Sequence, residues 1–183
     1  IDKEIMKGDI AEAKLFNPDF IIANMHWGLE YERIPSREQR ELADWLLRQG
    51  VDLVIGSHPH VVQPMELRRG KEGVTDRLVV YSLGNFISNM SREHTDGGVM
   101  VKVVLGRKGL RRYIVSAQYS LIYSSRYKNE QGKEDIRVVP AASWLGKNQN
   151  SSFSVDSALI KYVNNTRLFL KGNNKEVEEY IFE

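Results

Sequence analysis

Three of the four histidines in this chain close short apolar runs or follow them directly. Two of them stand one residue apart in Gly56-Ser57-His58-Pro59-His60. Imidazole is the commonest side-chain metal ligand, and it titrates near neutral pH. Proline disfavours the helical region for the residue before it, so Pro59 is expected to hold His58 extended. In extended chain, residues i and i+2 point to the same side. His58 and His60 would then face one small volume, within reach of one metal ion or of two ions about 4 Å apart. Gly56 reads as the residue that lets the chain turn off the preceding strand. His26 ends the run Phe20-Ile21-Ile22-Ala23-Asn24-Met25 and can reach the same volume. Imidazole donors suit zinc, manganese, iron and nickel. The competing reading makes His58 and His60 turn residues bonded to backbone, and spacing alone leaves both readings open. His94 lies in the polar stretch Ser91-Arg92-Glu93-His94-Thr95-Asp96 and reads as solvated.

Other side chains carry two readings each. Glu30, four residues after His26, is either a carboxylate that orients a histidine or acts as a general acid, or a surface glutamate. Asn85, which follows a strand and Gly84, either offers its amide to a ligand or caps backbone groups in a turn. Trp27 either stacks on a substrate or packs so as to fix His26. Ser82 lacks a base and an orienting acid, so no serine nucleophile is expected.

These residues need elements to hold them. Asp2 to Phe16 has helical composition, with Ile5, Ile10, Ala13 and Leu15 available for one face, and Asn17-Pro18 stops it. The run from Phe20 is short and β-branched, as in a strand buried on both faces. Ser36 with Gln39 three residues on is a capping-box pattern. Leu42, Trp45 and Leu46 follow at helical spacing, and Gly50 is the expected stop. Val51 to Ile55 is the next buried strand. Strand, helix, strand implies a parallel unit, with ligands beyond the carboxyl ends of its strands. Both histidine groups fall at those ends. Strands are then expected over 65–69, 78–83, 99–105, 113–123 and 136–139, with a turn at Lys108-Gly109. A polar connector over 147–152 leads to a helical tail from about Val155, broken near Gly172-Asn173-Asn174. The expected division is 1–146 as the main body and 147–183 as connector and helical tail.

The chain has 183 residues, enough to bury roughly 70% of its unfolded surface without a staple. A net charge of +2 is too small to argue for nucleic acid as a partner. The absence of cysteine excludes disulfides and thiolate metal sites. No apolar run approaches the roughly 20 residues of a membrane span. The chain opens at Ile1 with no signal peptide and reads as a fragment or a processed product.

Three ordered signatures carry a family resemblance. They are Asp19-Phe20-Ile21-Ile22 leading to His26-Trp27-Gly28-Leu29-Glu30-Tyr31, with Pro35 and Gln39 beyond; Asp52 to Pro64 around the paired histidines; and Tyr81-Ser82-Leu83-Gly84-Asn85-Phe86. Together they resemble the bacterial CapA, or poly-γ-glutamate capsule synthesis, family over about Ile1 to Ala141. That family is similar to calcineurin-like metallophosphoesterases. The resemblance implies an α/β fold: a partial metallophosphatase-like β-sandwich flanked by helices, with a helical carboxy-terminal tail. It implies a divalent metal site (manganese, zinc or iron) with His26 and His58 on one ion and His60 on the other, and Glu30 and Asn85 as candidate catalytic residues. The aspartates and asparagine that would complete such a site match nothing here. Gly8-Asp9 lies within a helical pattern and reads as helix surface.

The expected function is therefore a fragment of a capsule biosynthesis protein with an incomplete metal site. The parent would be a metal-dependent, hydrolase-like enzyme, and this chain alone would be inactive. The alternative is a non-catalytic scaffold or polymer-binding module. Expected partners are an anionic capsule polymer or its precursor, other capsule synthesis proteins, and a second copy of this chain that covers open sheet edges. The resemblance implies an extracytoplasmic, envelope-associated parent whose membrane anchor is not in this chain.

Overall fold

The computed structural model describes residues 1–70, 74–148 and 157–181. Helix α1 (Lys3–Leu15) is capped by the Asp2 carboxylate, which accepts from the amides of Glu4 and Ile5. Its expected apolar face is largely unused: Ile10 is buried, while Ile5 and Leu15 are exposed. Asp9 lies on the exposed surface of this helix, as its pattern implied. Strand β1 (Ile22–His26) follows, then helix α2 (Arg37–Gln49) and strand β2 (Leu53–Ser57). Ser36 and Gln39 form the full capping box, and Gly50 closes α2 in the left-handed conformation. Strands β1 and β2 pair in parallel, with His26 opposite Ser57.

Strands β3 (Met65–Arg69) and β4 (Thr75–Val80) complete the first sheet, in the order β1-β2-β4-β3. Strand β4 runs parallel to β2, and β3 is antiparallel to β4. Strand β1 is thus an edge strand, not one buried on both faces. Ile22, Asn24 and His26 are exposed, and Met25 alone of this strand is buried. The apolar content of its sequence resembles that of a central strand because composition does not report how many neighbours a strand has.

The second sheet is antiparallel. Strands β5 (Gly97–Lys108) and β6 (Arg111–Lys128) form a long hairpin closed at Gly109, and β7 (Glu134–Pro140) pairs with the far half of β6. Helix α3 (Ala141–Asn148) and helix α4 (Ser157–Asn173) precede a two-residue strand, β8 (Glu178–Glu179), that pairs in parallel with β6.

Side-chain alternation explains the layering, because successive residues of a strand point to opposite faces. Leu53, Leu78 and Val80 join Val99, Ala117, Tyr119 and Leu121 in a core shared by the two sheets. Val54, Val79 and Tyr81 point the other way and pack under Leu42, Ala43, Leu46 and Leu47 of α2. Each such fully buried aliphatic side chain stabilises the fold by about 1.5–3 kcal/mol. The fold is mixed α/β, with two sheets on one core and helices α1 and α2 outside the first.

Residues 157–181, read from sequence as a helical tail, belong to that core. Leu159, Tyr162, Val163 and Leu170 of α4 pack into it, and the Tyr162 hydroxyl donates to the Gly98 carbonyl at 3.0 Å. Beyond α4, Asn174 Oδ1 accepts from the Met65 amide, and the Lys175 amide donates to the Met65 carbonyl. The short β8 was not foreseen. The connector expected over 147–152 falls outside the described residues from position 149 onward.

Candidate functional site

Parallel pairing brings the three histidines together. His26 ends β1, His58 follows the end of β2 beside it, and the chain returns with His60. The ring centroids of His26 and His58 lie 4.6 Å apart, and those of His58 and His60 lie 6.2 Å apart. This is the carboxyl edge of a parallel sheet, where ligands bind in open α/β folds. His26 is exposed, and the other two are half-buried.

The route to this cluster differs from the one expected. His58 is not extended: its φ is +103°, and that of His60 is +61°. The proline rule disfavours helix, but it does not choose between the extended and positive-φ regions, and the packed surroundings chose the second. Among the described residues six non-glycine residues have positive φ, and Tyr31, His58, His60 and His94 are four of them. Each such backbone costs of order 1–3 kcal/mol and persists where neighbouring contacts over-determine it, often at ligand sites.

Gly56 also plays a different part. It lies within β2, and a Cβ there would fall 2.0 Å from the Tyr81 carbonyl oxygen and 2.4 Å from Trp27 Nε1. The glycine is required by close approach, not by a turn. Through that gap the Trp27 indole donates to the Tyr81 carbonyl at 2.8 Å. Trp27 is buried and stacks on Tyr81, so most of its ring is used in packing, while its remaining edge lines the cleft beside His26 and His58. Burial pushes the Tyr81 phenol up to about 12, and its oxygen accepts from Arg68 at 3.0 Å.

Asn85 is oriented by its surroundings. Its Nδ2 donates to the Thr95 carbonyl at 3.0 Å and to Ser88 Oγ at 3.2 Å. Its Oδ1 therefore faces His60 Nδ1, 3.0 Å away. An amide oxygen only accepts, so His60 carries its proton on Nδ1 and keeps the Nε2 lone pair free. This is the usual partner arrangement for a metal-ligating histidine. Asn85 thus caps the Thr95 carbonyl with its amide nitrogen, as the turn reading has it, and turns its oxygen to His60.

Glu30 is exposed in the loop after Gly28 and forms no hydrogen bond or ion pair among the described residues. The structure does not join it to the histidines. His94, read as solvated, is half-buried. Burial, then the nearby Arg33, hold its imidazolium below the usual range. Two residues were missed from sequence. Tyr31 stacks on His60, with centroids 6.1 Å apart, and Arg92 lies over the Tyr31 ring at 4.0 Å. Tyr31 sits in the loop that follows His26, which was a usable signal. Arg92 sits in a polar stretch with no period, which gave none.

The donor set can be tested against a metal. Nitrogen–metal distances of 2.0–2.1 Å put an imidazole centroid about 3.2 Å from an ion, so two centroids on one ion stand about 4.5 Å apart at a right angle and about 5.2 Å apart at a tetrahedral one. His26 and His58, at 4.6 Å, fall near the right-angle value, and His58 and His60, at 6.2 Å, exceed both. Among the described residues no group of three or more His, Cys, Asp or Glu is arranged to hold one ion. The donors gathered here are imidazole nitrogens, which in type suit zinc, manganese or iron. An open cleft of about 510 Å³ borders His26 and His58, lined also by Leu29, Ser36 and Leu42.

Among the described residues no helix is long and apolar enough to cross a membrane. Comparison with known proteins gives the family. Residues 1–90 match the model described as bacterial capsule synthesis protein PGA_cap. Over 115 residues, 63% of its length, the chain is 35% identical to the PGA biosynthesis protein CapA of Bacillus subtilis (strain 168), and the match covers 28% of that protein. It is also 35% identical over 107 residues, 58% of its length, to the capsule biosynthesis protein CapA of Bacillus anthracis, covering 24% of it. The chain thus spans well under half the length of these relatives. With the histidine signatures in the matched stretch, these matches support a fragment of the bacterial CapA capsule synthesis family over residues 1–90.

Proposed function

We propose that this chain supplies the histidine half of a divalent-metal site in an envelope-associated capsule biosynthesis protein. The observation that carries the reading is the approach of the His26 and His58 rings to 4.6 Å between centroids, beside a His60 whose Nδ1 faces Asn85 Oδ1. His26 and His58 would hold one ion, and His60, through Nε2, would serve a second. Trp27 keeps the end of β1 in place. Asn85 holds the His60 proton on Nδ1. A divalent cation bound there acts as a Lewis acid and lowers the pKa of water. Neutral imidazoles do not offset two divalent charges, so carboxylates from the rest of the parent protein complete the site. The parent is then a metal-dependent, hydrolase-like enzyme acting on an anionic capsule polymer such as poly-γ-glutamate, or on its precursor, outside the cytoplasm. Manganese, zinc and iron suit these donors.

The test is calorimetric titration of the chain with manganese and zinc. Binding that drops by tenfold or more in His26→Ala and His58→Ala supports the reading. Asn85→Ala should weaken the His60 position alone. No binding by the unmodified chain moves the titration to the whole parent protein, where affinity unchanged by His26→Ala and His58→Ala would reject a metal site in this segment and favour a scaffold role.

A further inference from the structure

We infer that Arg92 is the recognition residue for an anionic group, phosphate or carboxylate, on the ligand of the histidine site. The inference rests on His26, His58 and His60 forming a ligand site, and not on a metal being bound there.

Two independent paths lead from Arg92 to His60. The guanidinium lies over Tyr31, and Tyr31 stacks on His60. The Tyr31 amide is tied to the Pro59 carbonyl at 2.7 Å, which fixes the ring against the histidine turn. The second path runs through backbone. The Arg92 carbonyl accepts from both the amide and the hydroxyl of buried Thr95, at 3.2 and 2.6 Å. The Thr95 carbonyl accepts from Asn85, whose oxygen faces His60. The fold therefore specifies where this arginine stands at both ends of the residue.

Its charge is not consumed by the protein. Among the described residues Arg92 makes no side-chain hydrogen bond and no ion pair, although its neighbour Glu93 pairs with Lys161 at 3.3 Å. The residue is exposed. A guanidinium stacked on an aromatic ring keeps its edge donors free, and those donors match the two oxygens of a carboxylate or phosphate. Arg33, the other cation nearby, is half-buried with its guanidinium over Phe169, so it is less accessible to a ligand than Arg92.

The experiment follows inorganic phosphate and glutarate binding by NMR, using the Arg92 Nε–H and histidine ring resonances of the full chain, with and without added zinc. Both reporter groups are expected to shift together, and the probe with the lower dissociation constant distinguishes phosphate from carboxylate recognition. Arg92→Gln should weaken the preferred probe by about tenfold, and Arg92→Lys should recover only part of that, because an ammonium lacks the planar fork. Lys102→Gln removes the same charge from a distant exposed cation over Tyr180 and should leave binding unchanged. Backbone amide spectra of each variant confirm the fold. Unchanged affinity in Arg92→Gln, an equal loss in Lys102→Gln, or no shift at Arg92 with either probe would overturn the inference. Arg92-dependent binding without any zinc uptake would sustain it while rejecting the metal reading. Zinc uptake with Arg92-independent anion binding would do the reverse.

Discussion

Gly56→Ala puts the packing beneath the histidines to a direct test. The added methyl would sit 2.0 Å from the Tyr81 carbonyl oxygen and 2.7 Å from its carbon, both backbone atoms of the adjoining chain. Backbone cannot rotate away as a long side chain can, so the segment after β4 must move off β2. Overpacking of this kind costs about 1–3 kcal/mol. The same displacement removes the acceptor of the buried Trp27 indole, and an unsatisfied buried donor costs about 1–3 kcal/mol more. The sum, about 2–6 kcal/mol, is a large share of the 5–15 kcal/mol typical of a domain. With a urea slope of about 2 kcal/mol per molar, the unfolding midpoint should fall by about 1–3 M. Trp27 fluorescence reports the local change and far-UV dichroism the global one. Gly8→Ala is the control. Nothing lies within 4 Å of a Cβ at Gly8, in exposed α1, so the midpoint should hold or rise by up to about 1 kcal/mol of stability. A Gly56→Ala chain that unfolds at the unmodified midpoint would refute the close-approach argument.

Further outcomes are expected at sites set by the same structure. His58→Gly should be more stable than His58→Ala by about 1 kcal/mol or more in urea unfolding, because glycine relieves the positive φ that alanine retains. Ser36→Ala removes the oxygen that accepts from the Gln39 amide and should cost about 1 kcal/mol, read as a lower melting temperature. Burial, opposed by the Ile21 amide and by Arg112, raises the Asp52 carboxyl above its ordinary range. The folded state therefore holds that proton more tightly, and stability is lost as pH rises from the unfolded-state value through the folded one. Asp52→Asn keeps an acceptor for Ile21, so it should stabilise the chain at pH 7 and make no difference at acid pH below both values. Strand β1 has one paired edge and one open edge, so light scattering should show a dimer or larger species at high concentration; a clean monomer would count against edge pairing.

The features that can be read from the amino-acid order alone are local. The β1-α2-β2 unit, the Ser36–Gln39 box and the Gly50 stop follow from side-chain period and turn chemistry within a dozen residues, and the structure repeats them. Parallel pairing placed His26 and the His58-Pro59-His60 turn at one edge of the sheet, which the chain order implied, while the positive-φ turn that orients the rings was set by packing. The tertiary structure decided the rest, because its causes lie far apart in the chain. Gly56 answers to Tyr81 and Trp27, and His60 takes its tautomer from Asn85. Strand β1 became an edge because no described strand pairs with its other side. The apolar stripe of α4 showed that some surface must cover it. That this surface is the core between the two sheets depends on Val99, Leu121 and Met65, which no local pattern connects to it. Arg92 was invisible for the same reason. An exposed arginine in a polar loop has no periodicity, and its position is fixed only by Tyr31 and Thr95, which the fold brings together.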